Sequence, residues 1–315
     1  MHNMSNDETR YAGQTPPVLL LTFSRPSQAA RVLERIKEAR PPSLYVACDG
    51  PRPGRDDDRA NVAAIHEMIG RIDWCGDVKT LFRDRNLGCG PAVSQAITWY
   101  MEQAGEGIIL EDDCLPDPTF FRFCGDMLDR YRNTSNVMQV AGYNLLSGTY
   151  DSGADYHFSQ FGWQWGWATW KRAWDCFDLR MASWPAFKQQ GYHRVHPFYP
   201  RRVPVFDATY AGKISTWDYQ WNYAQATNSG LSVVPRYSLI ENIGFGAEAT
   251  HGTDVKAGAR YRVPVRPLVH PLTHPQFLYP DPRYDRMLIS ASGPQTLRGK
   301  LGTWAAVLRS RYLRR

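Results

Sequence analysis

The apolar run Gly107-Ile108-Ile109-Leu110 is followed directly by three acids, Glu111, Asp112 and Asp113. A run of this length predicts a buried strand of a parallel sheet, and ligands of such sheets bind beyond the carboxyl ends of the strands. Three adjacent carboxylates would repel one another there unless a cation shared the site. Mg²⁺ and Mn²⁺ favour one or two carboxylates together with substrate phosphate oxygens. The run therefore predicts a site for a metal ion and a diphosphate. The alternative is that the acids cap the next helix, but a helix cap needs only one acid and this chain has three.

Short apolar runs alternate with amphipathic segments through the first part of the chain. Strands are expected near residues 18–23, 44–48, 78–82, 107–110 and 137–140, with helices near 27–39, 59–72, 91–104 and 118–131. Such alternation is typical of βαβ units. The expected fold class is α/β, with a mostly parallel, Rossmann-like sheet flanked by helices.

The remaining sequence divides by composition. Residues 1–16 are a polar leader that we expect to be flexible, and residues 17–143 form the alternating half. Residues 144–255 are aromatic and turn-rich, which favours an irregular binding half over another βαβ unit. Residues 256–296 are Pro-rich and expected to wrap over the surface, and residues 297–315 have the helical spacing of a basic amphipathic helix.

The formal net charge of +6 is located in this last segment, which holds six Lys and Arg and no acid. The rest of the chain is neutral, so a nucleic-acid-binding surface is not expected. The basic helix has two open interpretations: it binds an anionic membrane surface, or it packs on the body with a solvated basic edge.

Cysteine usage and hydropathy indicate the compartment. The six cysteines form no CxxC pair and have no zinc-finger spacing, and no stretch approaches 18 apolar residues. The N-terminal residues are polar and lack the apolar core of a secretory signal. We expect a reduced, cytoplasmic protein, peripheral at the inner face of the membrane if the basic helix binds lipid.

Other strand ends carry polar residues that would converge on the same crevice. Arg25 follows the first strand and can contact a phosphate, Asp49 follows the second and can bind a ribose or base, and Arg85 follows the third. No GxGxxG follows the first strand and no GxxxxGK[ST] occurs. This counts against dinucleotide dehydrogenases and P-loop NTPases.

The alternating half that ends in Glu111-Asp112-Asp113 and continues into Phe120-Phe121 resembles the GT-A glycosyltransferase superfamily, and within it the N-acetylglucosaminyltransferase I type. The resemblance covers about residues 17–255. It implies a nucleotide-sugar-binding half over residues 17–143 and an acceptor and catalytic half over residues 144–255. It also implies an Mn²⁺ or Mg²⁺ ion held mainly by Asp113, with Glu111 and Asp112 on the donor side.

Later segments extend this resemblance. The stretch Phe161-Gly162-Trp163-Gln164-Trp165 resembles a glycine-and-aromatic segment that shapes the sugar pocket, although a Trp-rich core is the other interpretation. Trp217-Asp218 resembles the family's Trp-Asp stretch, which implies that Trp217 contacts the acceptor and Asp218 is the catalytic base of an inverting transfer. Helix capping by Asp218 is the plainer alternative. His251, in a late glycine-rich loop, is by resemblance a candidate ligand of the metal or diphosphate.

The implied activity is metal-dependent inverting transfer of a sugar from a nucleoside diphosphate donor, by resemblance UDP, to a glycan or lipid-linked acceptor. A sugar-1-phosphate nucleotidyltransferase would share the sheet and the metal, but it should carry a glycine-rich basic loop where this chain has Thr22-Phe23-Ser24-Arg25-Pro26. A non-catalytic carbohydrate-binding protein would need only the aromatic pocket.

Overall fold

The centre of the fold is a mixed eight-stranded sheet in a computed structural model that describes residues 10–11, 13–191, 199–245 and 258–292. The strands are β1 Val18–Thr22, β2 Leu44–Cys48, β3 Val78–Phe82, β4 Glu106–Glu111, β5 Cys114–Pro116, β6 Val137–Ala141, β7 Tyr156–Ser159, β8 Trp167–Trp170, β9 Leu231–Pro235 and β10 Ile240–Asn242. The helices are α1 Pro26–Ala39, α2 Asp56–Gly70, α3 Cys89–Ala104, α4 Thr119–Tyr131, α5 Lys171–Trp174, α6 Trp184–Gln189, α7 Tyr199–Tyr210, α8 Asp218–Thr227 and α9 Pro282–Ala291. The main sheet has the order β3-β2-β1-β4-β8-β6-β9-β7, and β5 pairs with β10 in a separate antiparallel ribbon.

The predicted βαβ half is confirmed. Strands β1 to β4 are all parallel, with Val18 paired to both Leu44 and Ile108. The chain moves outward from β1 to β3 and then crosses back, through α3, to place β4 on the other side of β1. This reversal between β1 and β4 is a topological switch point, where a crevice opens beyond the strand ends.

Both faces of this sheet are covered, as the continuous apolar strands predict. Along β1, Val18 and Leu20 pack on one face with α1, α2 and α4. Leu19 and Leu21 pack on the other face with α3, α5 and α8. Alternate side chains of one strand thus reach two cores, which fixes its register.

The segment expected to be irregular is more regular than its composition indicated. Strand β8 runs antiparallel between β4 and β6, near the middle of the sheet, and β7 and β9 extend the same sheet beyond β6. All four residues of β8 are buried. Trp167 faces the core that contains Trp174, while Trp170 lies on the opposite face and donates its indole N–H to the Leu128 carbonyl at 3.2 Å. The sheet is therefore continuous across residue 143.

The described part of the predicted flexible leader is packed on α4. Tyr11 is buried, and the backbone N–H groups of Arg10 and Tyr11 donate to the Asp129 carboxylate at 3.0 and 2.8 Å. All six cysteines are free. Among the described helices, none combines the length and the apolar character needed to cross a bilayer.

Candidate functional site

A cleft of about 580 Å³ opens beyond the carboxyl ends of β1, β2, β3 and β4, at the switch point. Its volume lies within the range of small-molecule sites. Its polar lining residues are Thr22, Arg25, Asp49, Arg52, Arg83, Asn86, Glu111, Asp112, Asp113, Ser215 and Asn242. Trp165, Phe245 and Tyr261 supply aromatic surface on the wall.

Arg25 binds the acid triplet. Its Nη1 donates to Asp113 Oδ2 at 2.8 Å, and its Nη2 forms an ion pair with Asp112. The backbone N–H of Phe23 also donates to Asp112 Oδ2, at 3.3 Å. Burial alone would lower the pKa of Arg25. The two carboxylates outweigh this effect and raise the pKa above its ordinary value. The first and fourth strand ends are therefore joined by a charged contact across the switch point.

The triplet still carries more negative charge than Arg25 neutralises. Burial raises the pKa of Glu111, and the Asp113 and Asp112 carboxylates raise it further. Burial likewise raises the pKa of Asp112, against the opposing effect of Arg25. Within the described residues, no protein donor makes a hydrogen bond to the Glu111 carboxylate. Acids in this environment favour the approach of a second cation.

A divalent cation fits this donor set on charge and chemistry. The described residues contain no group of three or more His, Cys, Asp or Glu side chains already arranged as metal ligands. A cation bound at this site would take one or two carboxylates from the chain, with Asp113 and Glu111 as the accessible donors, and its other ligands would be water and phosphate. That is the ligand pattern which Mg²⁺ adopts with phosphate substrates.

The β5–β10 ribbon places a second segment over the acids. Ile243 donates its backbone N–H to the Asp113 carbonyl at 2.8 Å. The Cα of Gly244 lies so close to Asp113 that a Cβ there would meet Oδ2 at 2.3 Å. Only glycine permits this approach, so Gly244 allows the segment to close one side of the cleft directly above Asp113.

Asp49 is at the cleft, but its oxygens are already engaged. The carboxylate accepts backbone N–H bonds from Gly50 at 3.0 Å, from Leu87 at 3.0 and 3.1 Å, and from Gly88 at 3.1 Å. Asn86 adds a side-chain bond to the Gly50 carbonyl at 2.9 Å. Asp49 therefore holds the loop before α3 against the end of β2, which shapes the cleft.

Replacing Asp49 with asparagine should destabilise the protein by about 1–3 kcal/mol, because an amide NH₂ would face backbone donors that the carboxylate now satisfies. The free energy of unfolding in urea measures this change. Asp84→Asn, at an exposed position after β3, is the matched control and should leave stability within about 0.5 kcal/mol of wild type. Equal stabilities for the two variants would contradict the clamping role of Asp49.

The predicted Arg85 lies outside the cleft lining. It is exposed, and its backbone packs against Gly50, whose added Cβ would lie 2.5 Å from it. Two other arginines line the cleft instead. The guanidinium of Arg83 lies 3.4 Å from Gln95 Oε1, and burial lowers the pKa of Arg83. The guanidinium of Arg52 lies over the Phe23 ring, 5.4 Å from its centroid.

The aromatic candidates are divided between the cleft and the core. Trp165 lines the cleft, in edge contact with Phe245 and Tyr261 at 5.7 and 5.4 Å between ring centroids. Trp163 supports it from behind, at 5.1 Å. Phe161 packs with α9, away from the cleft.

Gly162 and Trp217 have packing roles. A Cβ on Gly162 would lie 2.4 Å from Ser232 Oγ and 2.5 Å from Gln139 Nε2, so the position has no room for a side chain. Trp217 is only 3% exposed, and its ring stacks on Trp167 at 5.7 Å. For Trp217, the Trp-rich core is the better description, because a buried ring presents no face to a sugar.

Asp218 begins α8 and is half-buried beside the cleft. Thr216 donates its hydroxyl to the Asp218 carboxylate. A Cβ on Gly90, in the first turn of α3, would meet the Thr216 carbonyl oxygen at 2.8 Å. Close packing of α3 on this loop brings the Asp218 carboxylate near enough to raise the pKa of Glu111 as well. The predicted base therefore lies beside the acid triplet, although it is not among the residues that line the cleft.

His251 and the basic segment 297–315 lie outside the described residues. The lining residues that sequence reasoning missed are mostly in loops after β3, α7 and β10. Asn242 ends β10 and Gly244 lies just beyond it, whereas Arg52, Ser215 and Tyr261 carry no local signal.

Comparison with protein-family models finds no match, and a search of curated proteins finds no significant relative.

Proposed function

We propose that the protein is a metal-dependent inverting glycosyltransferase of the GT-A type, which uses a nucleoside diphosphate sugar, with UDP as the expected nucleotide. One observation carries the proposal: Arg25 and the acid triplet line one cleft at the switch point of a parallel sheet, and Asp218 lies close beside the triplet. A charged, acid-rich crevice of this kind suits a substrate that brings both phosphate and a cation.

The arginines at the cleft are the groups that would bind the donor. Arg25, Arg52 and Arg83 line its β1–β3 side. Arg25 is ion-paired with Asp112 and Asp113, and Arg52 is ion-paired with Asp58. Arg83 has no carboxylate partner among the described residues, so its guanidinium is the one best placed to pair with diphosphate oxygens. The chain's own acids next to Arg25 would hold the cation, chiefly Asp113 with Glu111. When bound, a divalent cation stabilises the negative charge that develops on the leaving diphosphate.

Asp218 is the residue that we propose to act as base. A single-displacement transfer needs a carboxylate that takes the proton from the acceptor hydroxyl as the oxygen attacks the anomeric carbon. Thr216 orients the Asp218 carboxylate through its hydroxyl, and Ser215 lines the cleft two residues before Trp217. Inversion of the anomeric configuration follows if no covalent sugar intermediate forms.

The aromatic wall formed by Trp165, Phe245 and Tyr261 is the expected acceptor side. Flat rings can stack on the apolar face of a sugar while polar groups nearby bind its hydroxyls. We expect a glycan or a lipid-linked glycan as the acceptor. The basic segment 297–315 would place the enzyme at an anionic membrane surface if that acceptor is lipid-linked.

The proposal is tested by incubating the protein with a panel of nucleoside diphosphate sugars and Mn²⁺. Slow release of the nucleoside diphosphate without an acceptor, suppressed by EDTA, is the expected result, and proton NMR of the freed sugar reports the anomer first formed. Diphosphate release from a sugar-1-phosphate and UTP would instead indicate a nucleotidyltransferase. Sugar binding with no nucleotide binding would indicate a carbohydrate-binding protein.

A further inference from the structure

Three consecutive large apolar side chains stand on the surface far along the chain. Phe277, Leu278 and Tyr279 are 69%, 42% and 71% exposed. Contiguous exposed apolar groups of this size are uncommon on a protein surface unless something binds there. We call these three residues the 277–279 ridge.

The ridge is held in place from both sides by the edge of the main sheet. Before the ridge, the Asp155 carboxylate accepts the Thr273 backbone N–H at 2.6 Å, and the Asp155 N–H donates to the Thr273 carbonyl at 3.1 Å. After the ridge, Asp281 donates its backbone N–H to the Phe158 carbonyl at 2.7 Å. The ridge is therefore preformed, and presenting it to a partner costs little ordering entropy.

The helix that follows the ridge adds positive charge. On α9, Arg283, Arg286 and Met287 are exposed, whereas Tyr284 and Leu288 are buried against the sheet. The spacing of the exposed residues puts them on one outward face of the helix.

The two acids of this segment, Asp281 and Asp285, are engaged within the protein. Asp281 caps α9 by accepting the Arg283 backbone N–H at 2.9 Å, and it also accepts the Tyr150 hydroxyl. Asp285 is 4% exposed and accepts the Ser159 hydroxyl at 2.5 Å. Asp281 Oδ1 also lies 3.9 Å from Arg283 Nε, so Arg286 is the arginine of α9 that has no carboxylate partner among the described residues.

The sequence extends this charge asymmetry. Residues 258–315 contain eleven Lys and Arg but only two acids, Asp281 and Asp285, and six of these cations lie in residues 297–315, outside the described residues. An exposed apolar ridge that is followed by exposed arginines matches the composition of surfaces that bind anionic bilayers. In such surfaces aromatic and aliphatic groups enter the interface while Arg and Lys pair with lipid phosphates.

We infer that the 277–279 ridge and the arginine face of α9 form a docking surface for an anionic lipid bilayer. Phe277 and Leu278 would enter the boundary between head groups and acyl chains, and Tyr279 would lie at head-group level. Arg283 and Arg286 would lie close to lipid phosphates. This inference goes beyond the proposed transfer activity and does not depend on it.

The test is sedimentation of the full-length protein with vesicles of equal parts phosphatidylcholine and phosphatidylglycerol, and with vesicles of phosphatidylcholine alone. We expect binding to the anionic vesicles only, weakened by added salt. The triple variant Phe277→Ser, Leu278→Ser and Tyr279→Ser should bind at least about tenfold more weakly, because the apolar area that enters the interface is lost. Tyr210→Ser, at a 48% exposed tyrosine on α7, is the matched control and should bind as wild type does.

Three outcomes would overturn the inference: no vesicle binding by the wild type, equal binding to neutral vesicles, or wild-type binding by the triple variant. The last would assign any attachment to residues 297–315 alone.

Hydrogen exchange on the wild type gives a readout without mutation, since the amides of residues 277–279 should gain protection only with anionic vesicles. Protection before vesicles are added would be a fourth contrary outcome, because another part of the chain or a second copy would then cover the ridge. Vesicle binding needs no donor, so its failure is separable from failure of the proposed activity.

Discussion

Replacing Asp113 with asparagine is expected to reduce metal-stimulated release of the nucleoside diphosphate by about 10³-fold. The amide oxygen can still accept the Arg25 Nη1 hydrogen bond that Asp113 Oδ2 now accepts at 2.8 Å. The negative charge that a divalent cation needs would be lost, and charge stabilisation of a leaving group by such a cation is worth several kcal/mol. Steady-state release rates over a range of Mn²⁺ concentrations measure the effect.

The control for this variant is Asp84→Asn. Asp84 also follows a strand of the parallel sheet, but it is exposed and lies outside the cleft lining. It should retain wild-type rates. Thermal denaturation of both variants separates a chemical effect from unfolding. An Asp113→Asn protein that stays folded and releases nucleotide within about threefold of the wild-type rate would mean that Asp113 is not a metal ligand.

Replacing Asp218 with asparagine is expected to lower kcat by about 10²–10⁴-fold while leaving nucleotide affinity within about twofold of wild type. Asparagine keeps the size of the side chain and can still accept the Thr216 hydroxyl. It cannot take a proton from an acceptor. Because Asp218 is expected to act on the acceptor, binding of the donor should not depend on its charge.

Asp56→Asn is the matched control. Asp56 begins α2 as Asp218 begins α8, but its side chain is 93% exposed and it is not among the residues that line the cleft. If Asp218 serves only to complement the helix dipole, both variants should lose about 0.3–1 kcal/mol of stability and nothing more. An unchanged kcat for Asp218→Asn would remove the inverting assignment and leave the cleft without an identified base.

The parallel half of the fold was predictable because its strands are buried on both faces and end abruptly. The run Gly107–Leu110 is too short to favour a helix, and the acids after it mark the strand end. Strand β8 was not predictable in this way. Trp167–Trp170 is short and lies in a segment rich in glycine and aromatic residues, so neither its length nor its periodicity separates it from a loop.

The candidate site was predictable where a residue follows a strand and unpredictable where its contacts are distant. Asp49 was identified at a strand end, but its partner Leu87 is 38 residues away and has no local signature. Arg85 and Arg83 could not be separated, because the chain bends directly after β3 and only the three-dimensional path leaves Arg83 on the cleft. Trp217 looked like a sugar platform because sequence does not reveal that Trp167 stacks on it.

The central claim is that the cleft binds a nucleoside diphosphate together with a divalent cation. The most direct test is a thermal-shift measurement of the wild-type protein with UDP and other nucleoside diphosphates, each with and without Mn²⁺. A ligand present at a hundredfold excess over its Kd stabilises the native state by about 2.7 kcal/mol, which is readily detected. We predict a clear upward shift in Tm that requires both UDP and Mn²⁺. The same Tm with every nucleotide, whether or not Mn²⁺ is present, would contradict the claim.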